Sequence, residues 1–315
     1  MLKRRDLLRN SATLGLVAAI PMSVASEVPA GTTSARVPVG VDSTGSAAAL
    51  KPLRPPLQGQ IPVAFLISAG AVVIDFCGPW EVFENATVPG KSNNAFQLYT
   101  VAETTQPVRV TGGMKIVPEY TFATAPVPKV IVIPAQEGSS EAMLEWIRKS
   151  TRHTDVTMSV CTGAFVLAKT GLLSGKSATT HHGAYTELAM AFPDIHVKRG
   201  ARFVEDGNLA SAGGLSSGID LSLRVVERYF GREASLKTAF WMEYQGQGWL
   251  NPDSNRPYAH VRSTDAHPLC AICTMDVVPT VAPKTVYAGK TYYFCSVDHK
   301  RLFDSAPEKI THWLA

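Results

Sequence analysis

From Ile61 onward the chain alternates between short, wholly apolar runs and longer stretches that carry apolar residues on one helical face. Ile61-Pro62-Val63-Ala64-Phe65-Leu66-Ile67, Lys129-Val130-Ile131-Val132-Ile133-Pro134 and Val156-Thr157-Met158-Ser159-Val160 have the length and β-branched content of buried strands. Between and after them lie helical segments. One is predicted over 79–86, opened by Pro79 at a first-turn position. A second spans 139–152, capped by Ser139 or Ser140, with Met143, Leu144 and Ile147 on one face. Further helices are expected over 163–169, about 216–230 after Gly213-Gly214, and 233–245. The irregular stretch Val108 to Phe122 reads as a hairpin-type insertion around Gly112-Gly113. Strands alternating with helices predict an α/β unit over 61–245, with a mostly parallel sheet flanked by helices on both faces.

The flanking segments differ. Lys3-Arg4-Arg5-Asp6-Leu7-Leu8 precedes a modest apolar stretch and then Ser23-Val24-Ala25, the three-part layout of a secretory signal. The adjacent arginines and following leucines make residues 1–25 resemble a twin-arginine signal, which implies the export machinery as a partner and a periplasmic destination. Residues 26–60 hold 16 Gly, Pro, Ser or Thr and no aromatic residue, the composition of a disordered tether. A linker over 246–266 and a small unit over 267–315 complete the expected division.

Composition narrows the function classes. With 45% hydrophobic residues the chain can bury a full core, and no run of 18 apolar residues occurs that would span a bilayer. The formal net charge is +4, from 30 basic and 26 acidic residues. Residues 1–25 contribute four basic groups and one acidic group to that total, so the remainder carries about +1 and has no basic surplus for nucleic acid. Five cysteines are an odd number, so at least one is free, metal-bound or paired outside the chain.

Cys161 sits where a β-rich run meets a predicted helix, in Ser159-Val160-Cys161-Thr162-Gly163. A side chain on such a turn projects from the carboxyl edge of the sheet, and the helix N-terminus would lower the thiol pKa and favour a thiolate nucleophile. The residues alone are equally consistent with a small buried cysteine. Asp75, just ahead of the helix predicted at 79, has the place of an N-cap as well as of a functional carboxylate.

Cys161-Thr162-Gly163-Ala164-Phe165, Ala178-Thr179-Thr180-His181, and Arg202-Phe203-Val204 through Asp206-Gly207-Asn208 to Ala212-Gly213-Gly214 together resemble the ThiJ/PfpI superfamily, with its flavodoxin-like, glutamine-amidotransferase-like fold. Asp75-Phe76-x-Gly78-Pro79-x-Glu81-Val82-Phe83 is similar to the isonitrile hydratase branch and to sensor domains of AraC-type regulators. The resemblance implies Cys161 as nucleophile, Asp75 as the nearby carboxylate, and Thr162 as the residue orienting water or substrate. It further implies the main-chain N–H groups of Gln136 and Thr162 as stabilising donors, and a homodimer with a small-molecule substrate and no cofactor in the α/β unit. Two departures stand out: Pro134-Ala135-Gln136-Glu137-Gly138 replaces consecutive glycines, and His182 replaces a common aromatic residue after His181. A histidine near a helix start is more often structural than catalytic, so His181 enters as the weakest site candidate.

In the tail, Cys270-x2-Cys273 is followed after 21 residues by Cys295-x3-His299, three sulfurs and one imidazole at the spacing of a tetrahedral zinc-type site. A unit of this size seldom holds a core without a metal or a disulfide. A Cys270–Cys273 disulfide with Cys295 as a buried thiol is the alternative. Cys270-x-x-Cys273-x-Met275-Asp276, Tyr292-Tyr293-Phe294-Cys295-Ser296 and Phe303-x3-Pro307 resemble a YHS domain, in which a cysteine usually stands at the place of His299. The mixed donor set points to a divalent metal, zinc first, with copper or iron as alternatives. Cys77 receives no role.

Three functions are compatible with these residues. An isonitrile hydratase uses Asp75 and Cys161-Thr162; a glyoxal-directed enzyme of the same superfamily uses the same cysteine; a non-catalytic protein binds a ligand, an oxidant or a metal. A DNA-binding regulator is disfavoured, because a short cysteine-bearing tail stands where a helix-turn-helix region would follow.

Overall fold

The structure is a computed structural model that describes residues 52–88, 94–260, 263–264 and 266–314. The expected export signal and most of the expected tether lie outside the described residues. The described end of that tether is held in place: Leu53 packs on the core and its N–H donates to the Arg228 carbonyl at 2.8 Å.

In chain order the α/β unit contains β1 (Ile61–Leu66), α1 (Val73–Glu84), β2 (Phe96–Ala102), β3 (Val108–Arg109), β4 (Lys115–Ile116), β5 (Tyr120–Thr121), β6 (Val130–Ile133), α2 (Glu141–Thr151), β7 (Val156–Val160) and α3 (Gly163–Lys169). It continues through β8 (Ser177–Ala178), α4 (Tyr185–Ala191), β9 (His196–Val197), β10 (Phe203–Asp206), β11 (Leu209–Ala212), α5 (Ser217–Phe230) and α6 (Arg232–Trp241). Seven strands form one sheet in the order β10-β11-β7-β6-β1-β2-β5, parallel throughout except for the antiparallel β10–β11 pair.

The apolar runs are continuous because both faces of the sheet are covered. Side chains alternate across a strand, so Val63, Phe65, Val132, Met158 and Val160 enter one core with Phe76, Phe83, Leu221 and Val225 of α1 and α5. Ala64, Leu66, Ile131 and Ile133 enter the other with Leu144, Leu167 and Leu188 of α2, α3 and α4. The expected mostly parallel sheet with helices on both faces is therefore the observed architecture.

Local boundaries differ where Pro79 governed the expectation. The helix predicted to open at Pro79 begins at Val73, and Pro79 lies buried within it. There α1 crosses α5 closely: a Cβ on Gly78 would fall 2.9 Å from Ile219, and one on Gly218 would fall 3.3 Å from Pro79. Packing against α5 thus sustains a helix that local propensity would have started later. The 108–122 stretch forms the expected hairpin, β3 with β4, but its end adds β5 to the main sheet. The segment after α6 is tied down, with Trp249 buried and its N–H donating to Asp220 Oδ1 at 2.9 Å.

The tail builds a hairpin of β12 (Lys284–Tyr287) and β13 (Lys290–Tyr293), followed by α7 (Val297–Ser305) and α8 (Pro307–Leu314). Ala288 and Gly289 both have positive φ, 48° and 76°, as a tight two-residue hairpin turn requires. Its core is small: Ile272, Phe294, Phe303 and Ile310, with Cys270 and Cys273.

Candidate functional site

Cys161 is the first of the two turn residues between β7 and α3, with φ 56°. For a residue with a Cβ this conformation costs about 1–2 kcal/mol, so the surroundings must hold it. Its N–H donates to the carbonyls of Ala212 and Gly213, at 3.2 and 2.9 Å, and its carbonyl accepts from Thr180 Oγ1 at 2.9 Å. Gly163 makes the turn possible. A Cβ there would lie 2.3 Å from the Ile133 carbonyl oxygen, so only glycine lets α3 start against the end of β6.

The thiol is buried, and burial, with the nearby charge of Asp75, pushes its pKa up. The main-chain N–H groups of Leu215 and Thr162 and the Thr162 hydroxyl act in the opposite direction, because they hydrogen-bond the sulfur. The net direction is upward. The expected activation by a helix end is thus outweighed by desolvation, α3 being only seven residues long.

Asp75 is fully buried in the first turn of α1 and is not its cap; Val72 holds that position. Asp75 Oδ2 accepts from the Ala135 N–H at 3.0 Å, and Oδ1 is buried without a hydrogen-bond partner among the described residues. Burial raises its pKa to about 7, against the pull of the Ala135 N–H. A carboxyl in this state is half protonated at neutral pH and can give or take a proton.

The remaining candidates divide. Thr162 meets Cys161 through both its backbone and its hydroxyl. Gln136 was expected to act through its main-chain N–H; its side chain turns to Met143, with Nε2 3.3 Å from Sδ and Oε1 buried without a partner among the described residues. His181 Nδ1 accepts from the Gly183 N–H at 3.1 Å, and its ring lies across Gly214, where a Cβ would be 2.6 Å away. Burial lowers its pKa, with the neighbouring His182 acting in the same direction. His182 tilts against it, with ring centroids 4.3 Å apart.

Two contributors escaped the sequence reading. The Leu215 N–H reaches Cys161 from a residue with φ 33°, signalled only by the Gly213-Gly214 pair before α5. Thr180 lies within the Thr179-Thr180-His181 motif, but its use as a prop for the Cys161 carbonyl has no local signature.

The second constellation lies in the tail. The ligand atoms of Cys270, Cys273, Cys295 and His299 all fall within 4.8 Å of one another. Individual spacings are 3.5 Å from Cys273 Sγ to Cys295 Sγ, and 3.4 and 3.1 Å from His299 Nδ1 to the sulfurs of Cys270 and Cys295. A tetrahedron with Zn–S bonds of about 2.3 Å has sulfur–sulfur edges near 3.8 Å, so the donors fit such an ion with small shifts. The chain folds this way because Thr274 at φ 61° turns Cys273 back, and because Ser296 caps α7 by accepting from the His299 N–H at 3.1 Å. None of the five cysteines is joined to another in the structure.

A model of the DJ-1/PfpI family matches residues 62–228. Isonitrile hydratase of Pseudomonas putida is 34% identical over 187 residues, covering 58% of this chain and 78% of the relative. An HTH-type transcriptional regulator of Pseudomonas aeruginosa is 31% identical over 98 residues, but only 29% of that protein is matched. Among solved structures, a ThiJ/PfpI family protein from Pseudomonas syringae superposes with TM-score 0.54 at 27% identity, over 67% of this chain and 84% of that one. The family model spans more than half the chain, and its matched residues carry the elbow cysteine and the carboxylate beside it: the chain belongs to the DJ-1/PfpI family.

Proposed function

We propose that the α/β unit is a cysteine-dependent hydratase that converts an isonitrile to an N-substituted formamide. The observation that carries this reading is the pairing of Cys161 with a buried carboxyl whose pKa is raised to about 7. The reaction needs a nucleophile and one proton delivered to carbon, and this pair holds both. Asp75 takes the proton of the Cys161 thiol, the thiolate so formed attacks the terminal isonitrile carbon to make a C–S bond, and Asp75 passes that proton to the same carbon. The product is a thioimidate, R–N=CH–S–Cys161. Water then adds to the same carbon, one of its protons going to nitrogen. The C–S bond breaks, the thiolate leaves with its electron pair, and the hydroxyl proton returns to Asp75. Formamide departs with both groups restored. Thr162 and the Leu215 N–H hold the sulfur's charge between steps, and Thr180 and His181 position the turn.

The same reading assigns residues 1–25 to export and the tail to a YHS-type metal unit, in which Cys270, Cys273, Cys295 and His299 would hold a divalent ion, zinc first. That ion would supply folding energy to the tail. A panel of isonitriles, glyoxals and glutamine, offered to the full chain and to Cys161→Ala, tests the assignment. Formamide from isonitriles alone, lost in the variant, supports it. Turnover of glyoxals alone moves the chain to another branch, and no turnover beside tight metal binding makes it a binding protein.

A further inference from the structure

His299 does not end its contacts at the cluster. Its Nδ1 faces the sulfurs of Cys270 and Cys295, while its Nε2 lies 2.9 Å from Glu187 Oε1. Glu187 belongs to α4 of the α/β unit, 112 residues earlier in the chain. One turn further along α4, Met190 packs on the tail's core. Ahead of α4, a Cβ on Gly183 would sit 2.8 Å from the Cys273 carbonyl, and His182 Nδ1 is 3.3 Å from the Thr274 hydroxyl. The other face of α4 is locked into the main core through Tyr185 and Leu188.

We propose that Glu187 is a positioning residue for the metal centre: it accepts the His299 Nε2–H, fixes the tautomer that presents Nδ1 to the ion, and so makes one metal site out of two units of the chain. A ligating imidazole needs its second nitrogen protonated and held, and a carboxylate does this while raising the basicity of the ligand. A cysteine at 299 would need no such partner. The histidine in the tail and the carboxylate in α4 therefore belong together. The metal would clamp the tail onto the segment that begins at Thr180, whose hydroxyl props the Cys161 carbonyl.

The inference rests on the cluster being a metal site, and the test separates the two ideas. Co(II) binding to the full-length chain is followed through its thiolate charge-transfer and d–d bands in wild type, Glu187→Ala and Glu187→Gln, each alone and with His299→Cys. Glu187→Ala is expected to weaken Co(II) binding about 10–100-fold. Glu187→Gln, whose amide oxygen still accepts from Nε2–H, should recover much of the loss. In the His299→Cys background, removing Glu187 should cost nothing. Glu187 is partly exposed, so the apo fold should melt alike in all three. Unchanged affinity in Glu187→Ala, or an equal loss with and without His299, overturns the proposal while leaving the metal site standing; a wild-type chain that binds no Co(II) overturns both.

Discussion

A thiol and a carboxyl buried together compete for protons. The charge of Asp75 discourages ionisation of Cys161. The competent state of the pair holds a single proton, which shifts from sulfur to Asp75 as the thiolate forms. Turnover should therefore follow a bell, rising as the first proton leaves and falling as the second does. Asp75→Asn keeps a proton-bearing amide but no transferable acid; a rate lowered about 10²–10⁴-fold and a profile with only the rising limb are expected, measured as kcat/KM against pH. Stability gives a second view. The Asp75 carboxyl titrates near 7 in the fold against 3.8 ordinarily, so its native state binds the proton more tightly than the unfolded chain does. Its contribution is fully present below about pH 4 and is lost at about 1.4 kcal/mol per pH unit up to about pH 7. Denaturant melts of wild type should thus weaken from pH 5 to 7 relative to Asp75→Asn. Both members of this pair were legible as residue types at motif positions. The direction of the thiol's shift was not, because it is set by burial and by a carboxylate 86 positions away in sequence.

At the scale of elements, the site depends on close approaches. The start of α3 is pressed against the end of β6 at Gly163, with the obstructing atoms on the backbone. Gly163→Ala must move one element, so it should cost about 1–3 kcal/mol and remove turnover, as thermal melts and formamide assays would show. A second support is Asp220 in α5, fully buried, which accepts from Arg202 Nε at 2.6 Å, the Tyr244 hydroxyl at 3.0 Å and the Trp249 N–H. Arg202 also accepts, through its carbonyl, from Gly213, the residue whose own carbonyl holds the Cys161 N–H. Asp220→Ala takes from Arg202 its carboxylate, leaving only the neutral acceptors Asn255 and Ser216, and should cost about 3–5 kcal/mol in denaturant unfolding. Strand and helix periodicity revealed β1, β6, β7, α2 and α5 because each buries a full face. The beginning of α1 was hidden because Pro79 is a start signal locally, whereas the crossing with α5 is a tertiary fact. The network around Asp220 joins residues far apart in the chain and leaves no periodic trace.

Across the whole molecule, the Cys161 turn and the four-donor cluster meet one segment, which props the first at Thr180 and contacts the second at Glu187. The α/β unit has two extensive cores, whereas the tail buries few large apolar side chains around a four-donor cluster that could hold a metal ion. Treating the metal-loaded full chain with a chelator should therefore open the region from 267 to 314 to protease while the sheet persists, seen as a stable fragment by mass spectrometry. Equal resistance with and without chelator would show that the tail's core suffices alone. The spacing of the four candidate ligands was evident in the sequence; the contact of His299 with α4 was not, since Glu187 carries no signature that sets it apart from any helical glutamate. The central claim concerns Cys161, and infrared spectroscopy addresses it directly by following the isonitrile stretch and the formamide carbonyl in one sample of enzyme and substrate. Wild type should lose the first band as the second grows, and Cys161→Ala should leave both unchanged; loss of the isonitrile band at the same rate in the two proteins would contradict the account.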